Sequence, residues 1–220
     1  MDTGDTAPDT GDTAPDTGEL TLDTGDLART WDLQLTAWLT DATAAGLPEP
    51  TAMVLATMGA DHSPSTRTVL CKGIAARGIV FFTNYTSAKS RDLRANQRAS
   101  VTFPWYGLRR QVHLRGPVEQ VSPEETAEYW ATRPRGSQLG AWASPQSVVL
   151  SDRRVLEDSL VAISRRFLDC DEVPVPPHWG GWLLRPDRVE FWQARRDRLH
   201  DRLVYDHTDD RRWVIRRLAP

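Results

Sequence analysis

The basic residues of this 220-residue chain are almost all arginine, with 25 arginines and only two lysines. Lys72 follows an alternating apolar stretch, and Lys89 comes shortly after three hydroxyl side chains, those of Thr83, Thr86 and Ser87. An ammonium group and a guanidinium group are not interchangeable, and a helix that begins near Ser87 would add free N–H groups to the site. The pattern indicates an anion site around the lysines; the alternative is two solvated surface lysines.

A second basic group, residues 133–137 (RPRGS), follows a predicted helix. Its two guanidinium groups and one hydroxyl are suited to phosphate oxygens, which they bind through charge-assisted hydrogen bonds. The alternative interpretation is an exposed surface turn. If both basic groups bind anions, the ligand or ligands carry phosphate.

A third group lies at Arg198, His200 and Arg202. In a strand these side chains share one face, where they would repel one another unless an anionic or polar ligand lay across them. Asp201 would point to the opposite face, so it is a poor partner for His200. A solvent-facing strand is the alternative.

Nine tryptophans are present, and most are expected in the core or at an interface. Three lie near polar clusters in the sequence and would flank a flat ligand: Trp105, Trp142 and Trp192. Together with the anion sites, they indicate a planar, phosphorylated ligand.

Other site chemistries are not indicated. No Ser-His-Asp arrangement can be built, and the five histidines show no metal-ligand spacing, so no metal site is predicted. With only Cys71 and Cys170 there is no disulfide framework, which favours a reducing, cytoplasmic location. The formal net charge of −3 argues against a nucleic-acid partner. No apolar run is long enough for a membrane-spanning helix, and the acidic N-terminus argues against a secretory signal.

The elements that must position these groups are mostly strands. Alternating or apolar runs predict strands at 52–58, 65–74, 79–83, 99–105, 109–121, 181–186, 188–193, 199–206 and 212–218. Amphipathic spacing and capping signals predict helices from Trp31 to about residue 45, from 87 to 96, from 123 to 132 and over 152–168. The fold class is therefore mainly β with flanking helices (α+β), an antiparallel barrel or sandwich.

The N-terminus is a seven-residue acidic repeat beginning DTGDTAP. It has too little apolar area to offset the entropy of ordering, so residues 1–26 are expected to be disordered and residues 27–220 to form one domain. The aspartate spacing lacks the terminal glutamate of a calcium-binding loop.

An ordered series of short motifs runs through residues 31–220. They are RTVLCK (67–72), FT (82–83), SAK (87–89), FPW (103–105), RQ (110–111), RPRGSQLGAW (133–142), QS (146–147), VPVP (173–176), WGG (179–181), EFWQ (190–193), RLHDR (198–202) and RLAP (217–220). In this order they resemble the pyridoxamine 5′-phosphate oxidase family.

The resemblance implies an FMN-binding split β-barrel and a homodimer with FMN at the interface. It implies oxidation of pyridoxamine or pyridoxine 5′-phosphate to pyridoxal 5′-phosphate, with O2 as acceptor and H2O2 released. It assigns FMN binding to Arg67, Thr68, Val69, Leu70, Cys71, Lys72, Phe82, Thr83, Lys89, Gln111, Gln146, Ser147, Trp192 and Arg202. Substrate binding would fall to Lys72, Tyr129, Arg133, Ser137, Arg198 and His200, the last two being the candidate catalytic residues.

Two alternatives stay open: a related flavin oxidase of the phenazine-pathway type, and a non-catalytic carrier of flavin or pyridoxal phosphate. The sequence also departs from the family pattern. Ala88 stands where members often have arginine, and Ala194 where a glycine is common. The acidic repeat replaces a basic segment, and we expect that it does not fold over the phosphate site.

Overall fold

The computed structural model describes residues 21–208, 210 and 212–220. Within them lie five α-helices, α1 (Trp31–Ala44), α2 (Ala88–Ala95), α3 (Pro123–Ala131), α4 (Arg135–Ala143) and α5 (Arg153–Arg166). The strands are β1 (Ala52–Met58), β2 (Pro64–Leu70), β3 (Gly73–Ala75), β4 (Gly78–Asn84), β5 (Arg98–Trp105), β6 (Arg110–Gln120), β7 (Trp179–Leu184), β8 (Arg188–Gln193), β9 (Asp201–His207) and β10 (Trp213–Arg217).

All strand pairs are antiparallel, and β6 joins two parts of one curled sheet. The main path runs β10-β9-β8-β6-β5-β1-β2, while β3, β4 and β7 form a branch in which β7 also pairs with β6. The first half of β6 pairs with β8 and its last residues pair with β7. At Gly116, between the two halves, a Cβ would lie 2.0 Å from the Arg185 carbonyl oxygen, so only glycine allows this crossing. The result is a split, curled half-barrel with helices around it, which confirms the predicted fold class.

The core fills the inside of this curl. Strand β5 alternates exposed or half-buried with buried residues along its whole length, as a strand with one face on the core does. Helix α1 adds Trp31, Leu35 and Trp38 to the same core, and Trp38 meets Phe191 of β8 edge to face at 5.1 Å. The predicted amphipathic helix at 31 and its termination before Gly46 and Pro48 are confirmed.

Three segments differ from the sequence predictions. The run 65–74 is split into β2 and β3, with Lys72 N–H donating to the Val80 carbonyl at the bend between them. Residues 135–143 form helix α4, where no full helix was predicted. Strand β9 begins only at Asp201, because Asp197 and Arg198 have φ values of 54° and 60°, which no strand accommodates.

The ordered chain also begins before residue 27. Leu22 is buried, and its N–H donates to an Asp201 carboxylate oxygen at 3.2 Å. Arg217 donates to the Leu22 carbonyl at 2.9 Å and to Asp23 at 3.0 Å. Residues 21–26, which were expected to belong to the disordered repeat, therefore pack against β9 and β10. The rest of that prediction concerns residues 1–20, which lie outside the described residues.

Candidate functional site

Eleven of the predicted ligand-binding residues line one cavity of about 280 Å³, which we call the cationic pocket. They are Arg67, Thr68, Val69 and Leu70 on β2, Lys72 at the following bend, Phe82 and Thr83 on β4, Lys89 on α2, Tyr129 on α3, Arg133 after α3, and Gln146 after α4. Four of these residues are cationic, and no acidic residue is among them. An adjoining cavity of about 300 Å³ shares Phe82, Thr83, Arg133 and Gln146 and adds Ser137. The pocket therefore suits an anion that reaches across both cavities.

Lys89 is buried in this pocket among neutral oxygen atoms. Its Nζ donates to Gln146 Oε1 at 2.8 Å, to Thr83 Oγ1 at 3.1 Å and to Ser87 Oγ at 3.4 Å. Burial, and secondarily the nearby Arg67 charge, lower the pKa of Lys89 to about 8. A buried ammonium without a carboxylate is costly, and a phosphate would offset that cost directly.

Arg133 is held by aromatic rings rather than by an acid. Its guanidinium carbon lies 4.8 Å from the ring centroid of Trp179 and 5.7 Å from that of Trp130. One Nη donates to the Ser137 carbonyl at 3.0 Å. The buried Nε has no hydrogen-bond partner in the described part of the chain. Buried donors are seldom left unpaired, so this atom fits a pocket that receives phosphate oxygens.

Three aromatic side chains form a stacked wall beside these cations. The ring centroids of Phe82 and Tyr129 are 4.0 Å apart, and those of Phe82 and Trp179 are 5.4 Å apart, with interplanar angles of 19° and 15°. The Phe82 ring packs closely against the backbone of β7, since a Cβ at Gly181 would lie 2.8 Å from Phe82 Cε1. Tyr85, next to the wall, packs as closely on the same strand, since a Cβ at Gly180 would lie 2.2 Å from its Oη. Sequence reasoning did not assign Trp179 to the site, although the Trp-Gly-Gly motif was a signal for it.

Two predicted FMN-binding residues, Cys71 and Ser147, are sequence neighbours of pocket residues but do not line the pocket. Cys71 is buried in the main core, burial raises the pKa of its thiol to about 11, and its N–H donates to the Thr51 carbonyl at 2.9 Å, so it does not line the pocket. Ser147, at a φ of 71°, accepts a hydrogen bond at Oγ from the Ala88 N–H at 3.1 Å. The first N–H group of α2 is thus bound by a hydroxyl in this structure.

Four more predicted residues, Gln111, Trp192, His200 and Arg202, form a second cluster on β6 and β8 and around the start of β9, and Arg198 lies in the turn just before it. Gln111 is opposite Trp192 and Trp192 is opposite Arg202 in the strand register. The His200 ring lies 4.6 Å from the Trp192 ring, and its Nδ1 accepts from the Arg195 N–H at 3.1 Å. Arg202 donates to both carboxylate oxygens of Glu190, at 2.7 and 3.2 Å.

None of these second-cluster residues, nor Arg198, lines the cationic pocket. The two groups belong to opposite halves of the sheet path, since β2 is at one end of it and β9 is next to the other end. The prediction that Arg198, His200 and Arg202 share one strand face is wrong, because Arg198 and His200 precede β9 and Arg198 is in the left-handed region.

Within the described residues, no group of three or more histidine, cysteine, aspartate or glutamate side chains is placed to hold a metal ion. None of the described helices combines the length and the apolar character needed to cross a bilayer.

Comparison with known proteins agrees with this geometry. Residues 39–166 match the family model described as pyridoxamine 5′-phosphate oxidase, and residues 179–220 match that of the pyridoxine 5′-phosphate oxidase C-terminal dimerisation region. The pyridoxine/pyridoxamine 5′-phosphate oxidase of Saccharopolyspora erythraea is 62% identical over 88% of this chain and 87% of its own length. The protein of the same name from Salinispora arenicola is 50% identical over 99% of both chains.

Among solved structures, PhzG from Burkholderia lata, in complex with tetrahydrophenazine-1-carboxylic acid, superposes with a TM-score of 0.84. It is 31% identical and the match covers 91% of this chain and 98% of PhzG. A pyridoxamine 5′-phosphate oxidase-related, FMN-binding protein from Nostoc punctiforme has a TM-score of 0.70 at 19% identity, over 88% of this chain and all of its own, and supports the fold. With the family model covering more than half of the chain and curated relatives at up to 62% identity, this chain belongs to the pyridoxine/pyridoxamine 5′-phosphate oxidase family.

Proposed function

We propose that this protein uses FMN to oxidise pyridoxamine 5′-phosphate and pyridoxine 5′-phosphate to pyridoxal 5′-phosphate, with O2 as electron acceptor and H2O2 as the second product. The observation that carries the proposal is the cationic pocket, whose lining has four cations and no acid. Cofactor and substrate are both phosphate esters, and phosphates need such cations to leave water. The identity to oxidases named for these substrates supports the same conclusion.

Within the pocket, the residues divide between two phosphates. Arg67 and Lys89, with Thr83 and Gln146 around the ammonium, would hold the FMN phosphate end. Lys72, Tyr129, Arg133 and Ser137 would hold the substrate phosphate. When bound, FMN would supply the redox chemistry of the oxidation, and these residues would hold it beside the substrate. The protein residues bind, orient and shield the reactants from water.

The second cluster is proposed to complete the site from the other subunit of a homodimer. Trp192, Arg198, His200 and Arg202 all fall in the segment that matches a dimerisation region. They lie apart from the cationic pocket of their own chain, although the resemblance assigns both groups to one ligand pair. A two-fold dimer would place each chain's second cluster against its partner's pocket and so form two equivalent sites at one interface.

In this cluster the main chain holds the His200 ring through its Nδ1 atom. Because Nδ1 accepts from the Arg195 N–H, the neutral ring carries its proton on Nε2 and presents a donor. Arg198 has no practical deprotonated form, so its proposed role is to orient the substrate, not to act as a base. Hydride transfer should therefore not depend on proton removal by Arg198.

The direct test is an oxidase assay on the purified full chain. We expect yellow protein with bound FMN and release of H2O2 on addition of pyridoxine 5′-phosphate, with Lys72→Ala and Arg198→Ala both strongly impaired. Without O2, one equivalent of product per bound flavin should form and turnover should stop. Protein that neither carries nor takes up FMN would refute the proposal.

The likeness to PhzG favours a second candidate, an oxidase acting on a phenazine precursor. The phosphate-suited Arg133 and Ser137 argue against it, because tetrahydrophenazine-1-carboxylic acid carries no phosphate. Turnover of that compound without turnover of the phosphorylated vitamers would establish the second candidate. Bound flavin with no turnover of either would instead indicate a carrier. A cytoplasmic location stays a prediction, in keeping with the two free cysteines.

A further inference from the structure

Thr57 and Asp92 contact a pocket cation without lining the pocket themselves. Arg67 Nη1 donates to Thr57 Oγ1 at 2.5 Å, and Arg67 Nη2 lies 3.7 Å from Asp92 Oδ2. The Thr57 hydroxyl in turn donates to the same carboxylate oxygen at 2.7 Å. The three side chains therefore form a closed ring of contacts, which we call the Arg67 bracket.

The direction of each hydrogen bond in the Arg67 bracket is determined. A guanidinium can only donate and an ionised carboxylate can only accept, so the Thr57 hydroxyl must accept from Arg67 and give its proton to Asp92. Thr57 is only 4% exposed, and the Arg67 and Asp92 side chains are 22% and 20% exposed. Partial burial lowers the pKa of Arg67 while Asp92 opposes the shift. The bracket thus fixes the guanidinium and leaves further N–H donors for a ligand, since arginine has five.

The Arg67 bracket also links two cations of the pocket. Asp92 follows Lys89 by three residues on α2, so the two side chains lie on neighbouring positions of one helix face. Lys89 points to the pocket oxygens, while Asp92 reaches across to β1 and β2. Helix α2 therefore carries Lys89 and, through Asp92, also holds Arg67. The separation of these two cations is set before an anion binds.

We propose that Asp92, acting with Thr57, is a positioning residue that holds Arg67 ready for the phosphate of the flavin. The inference rests on the proposed function for the identity of that anion. Asp92 does not touch the ligand; its effect on binding passes entirely through Arg67. This dependence separates it from a residue that merely stabilises the fold.

A double-mutant cycle on FMN affinity tests the proposal. FMN is titrated into flavin-stripped full chain, with quenching of flavin fluorescence as readout, for wild type, Asp92→Asn, Arg67→Ala and the double variant. We expect Asp92→Asn to raise the FMN Kd about tenfold in the wild-type background and by less than about twofold in the Arg67→Ala background. Thr57→Val should act in the same direction as Asp92→Asn, and Thr57→Ser, which keeps the hydroxyl, should bind as wild type does.

Asp206 provides a matched control, because its ion pair with Arg188 is 3.4 Å long and its side chain is also 20% exposed. Asp206→Asn should leave the FMN Kd unchanged. If Asp92→Asn does not fold, Thr57→Val with and without Arg67→Ala completes the same cycle. Equal effects in both backgrounds, no effect in either, or an equal effect of Asp206→Asn would overturn the inference while the proposed function stands. Failure of the wild type to bind FMN would overturn both.

Discussion

The cationic pocket and the second cluster use their charges differently. In the pocket, Lys89 is surrounded by neutral oxygens and the Arg133 Nε lacks a partner within the described residues. In the second cluster, Arg202 already has both oxygens of Glu190, and His200 is bonded through Nδ1. A buried cation without a carboxylate nearby favours a ligand that brings negative charge. A cation that already has a carboxylate partner, as Arg202 has, keeps a fixed position and needs no ligand. The contrast supports the proposal that the cationic pocket binds phosphate and that the second cluster shapes the surface above it.

The largest expected effect is at Arg133, whose Nε has no hydrogen-bond partner within the described residues. Arg133→Ala removes the donor proposed for the substrate phosphate and should lower kcat/KM for pyridoxine 5′-phosphate by about 100-fold or more, mostly through KM. Steady-state H2O2 release measures it. Arg98→Ala, which alters an exposed ion pair with Asp187, is the control and should change little. An Arg133→Ala enzyme with near-normal KM would show that the pocket does not receive that phosphate.

Refolding two variants together tests whether the cationic pocket of one chain and the second cluster of its partner form one site. Assayed at pyridoxine 5′-phosphate concentrations below the wild-type KM, where each variant alone is nearly inactive, Arg133→Ala and Arg198→Ala chains refolded together should recover about a quarter of wild-type activity. Random pairing gives heterodimers in about half of the molecules, and each heterodimer has one intact site. No recovery above either variant refolded alone would place both regions in the site of a single chain.

The buried lysine should make flavin binding sensitive to alkaline pH. The pKa of Lys89 is about 8 without an anion, and a bound phosphate raises it, so the protonated form binds more tightly. FMN affinity should therefore be constant from about pH 7 to 8 and fall above pH 8, by up to about tenfold per pH unit. Titrations between pH 7 and 10 measure the slope. Lys89→Arg, which does not titrate in this range, should lose the decline, and an unchanged slope in that variant would assign it to another group.

The smallest effects are expected at the N-terminus. Removing residues 2–20 should leave KM for the phosphorylated substrate within about twofold of wild type, since the N-terminal contacts with β9 and β10 in the described part of the chain are kept, beginning at Leu22. Removing residues 2–26 also deletes buried Leu22 and should lower the free energy of unfolding by about 1–2 kcal/mol. Chemical denaturation and KM measured on both truncations give the comparison. A several-fold change in KM from the shorter truncation would mean that the acidic repeat acts on the site.

The sequence predicts much of this molecule because local patterns dominate most of it. Alternation is enough for β5 and β6, and the capping box Ser122–Glu125 marks α3. The basic groups point to Lys72, Lys89 and Arg133, and the family resemblance supplies most of the other pocket residues. What the residue types do not show is conformation at single positions. The alternation of residues 198–202 predicts a strand, but the positive φ angles of Asp197 and Arg198 are not compatible with one. Helix α4 has Pro134 at its N-cap and two glycines, so its local signals resemble those of a turn.

The partners of the pocket cations could not be predicted either. Asp92 and Thr57 are 35 residues apart and meet only through the packing of α2 against β1. Trp179 reaches Arg133 from a strand 46 positions along the chain, through a sheet whose register the sequence does not reveal. The residues proposed to bind a ligand lie in recognisable motifs, and so does Trp179, whereas Asp92 and Thr57 lie in none.

The bare backbone at Gly180 and Gly181 has a consequence for engineering this enzyme. A Cβ at Gly180 would meet Tyr85, and one at Gly181 would lie 2.6 Å from Val121 Cγ2 and 2.8 Å from Phe82 Cε1. Phe82 in turn stacks on Tyr129 and Trp179. A larger residue at Gly181 would therefore disturb the aromatic wall, of which Phe82 and Tyr129 line the cationic pocket. Random substitution at exposed positions of α3 and α4 would leave this support in place.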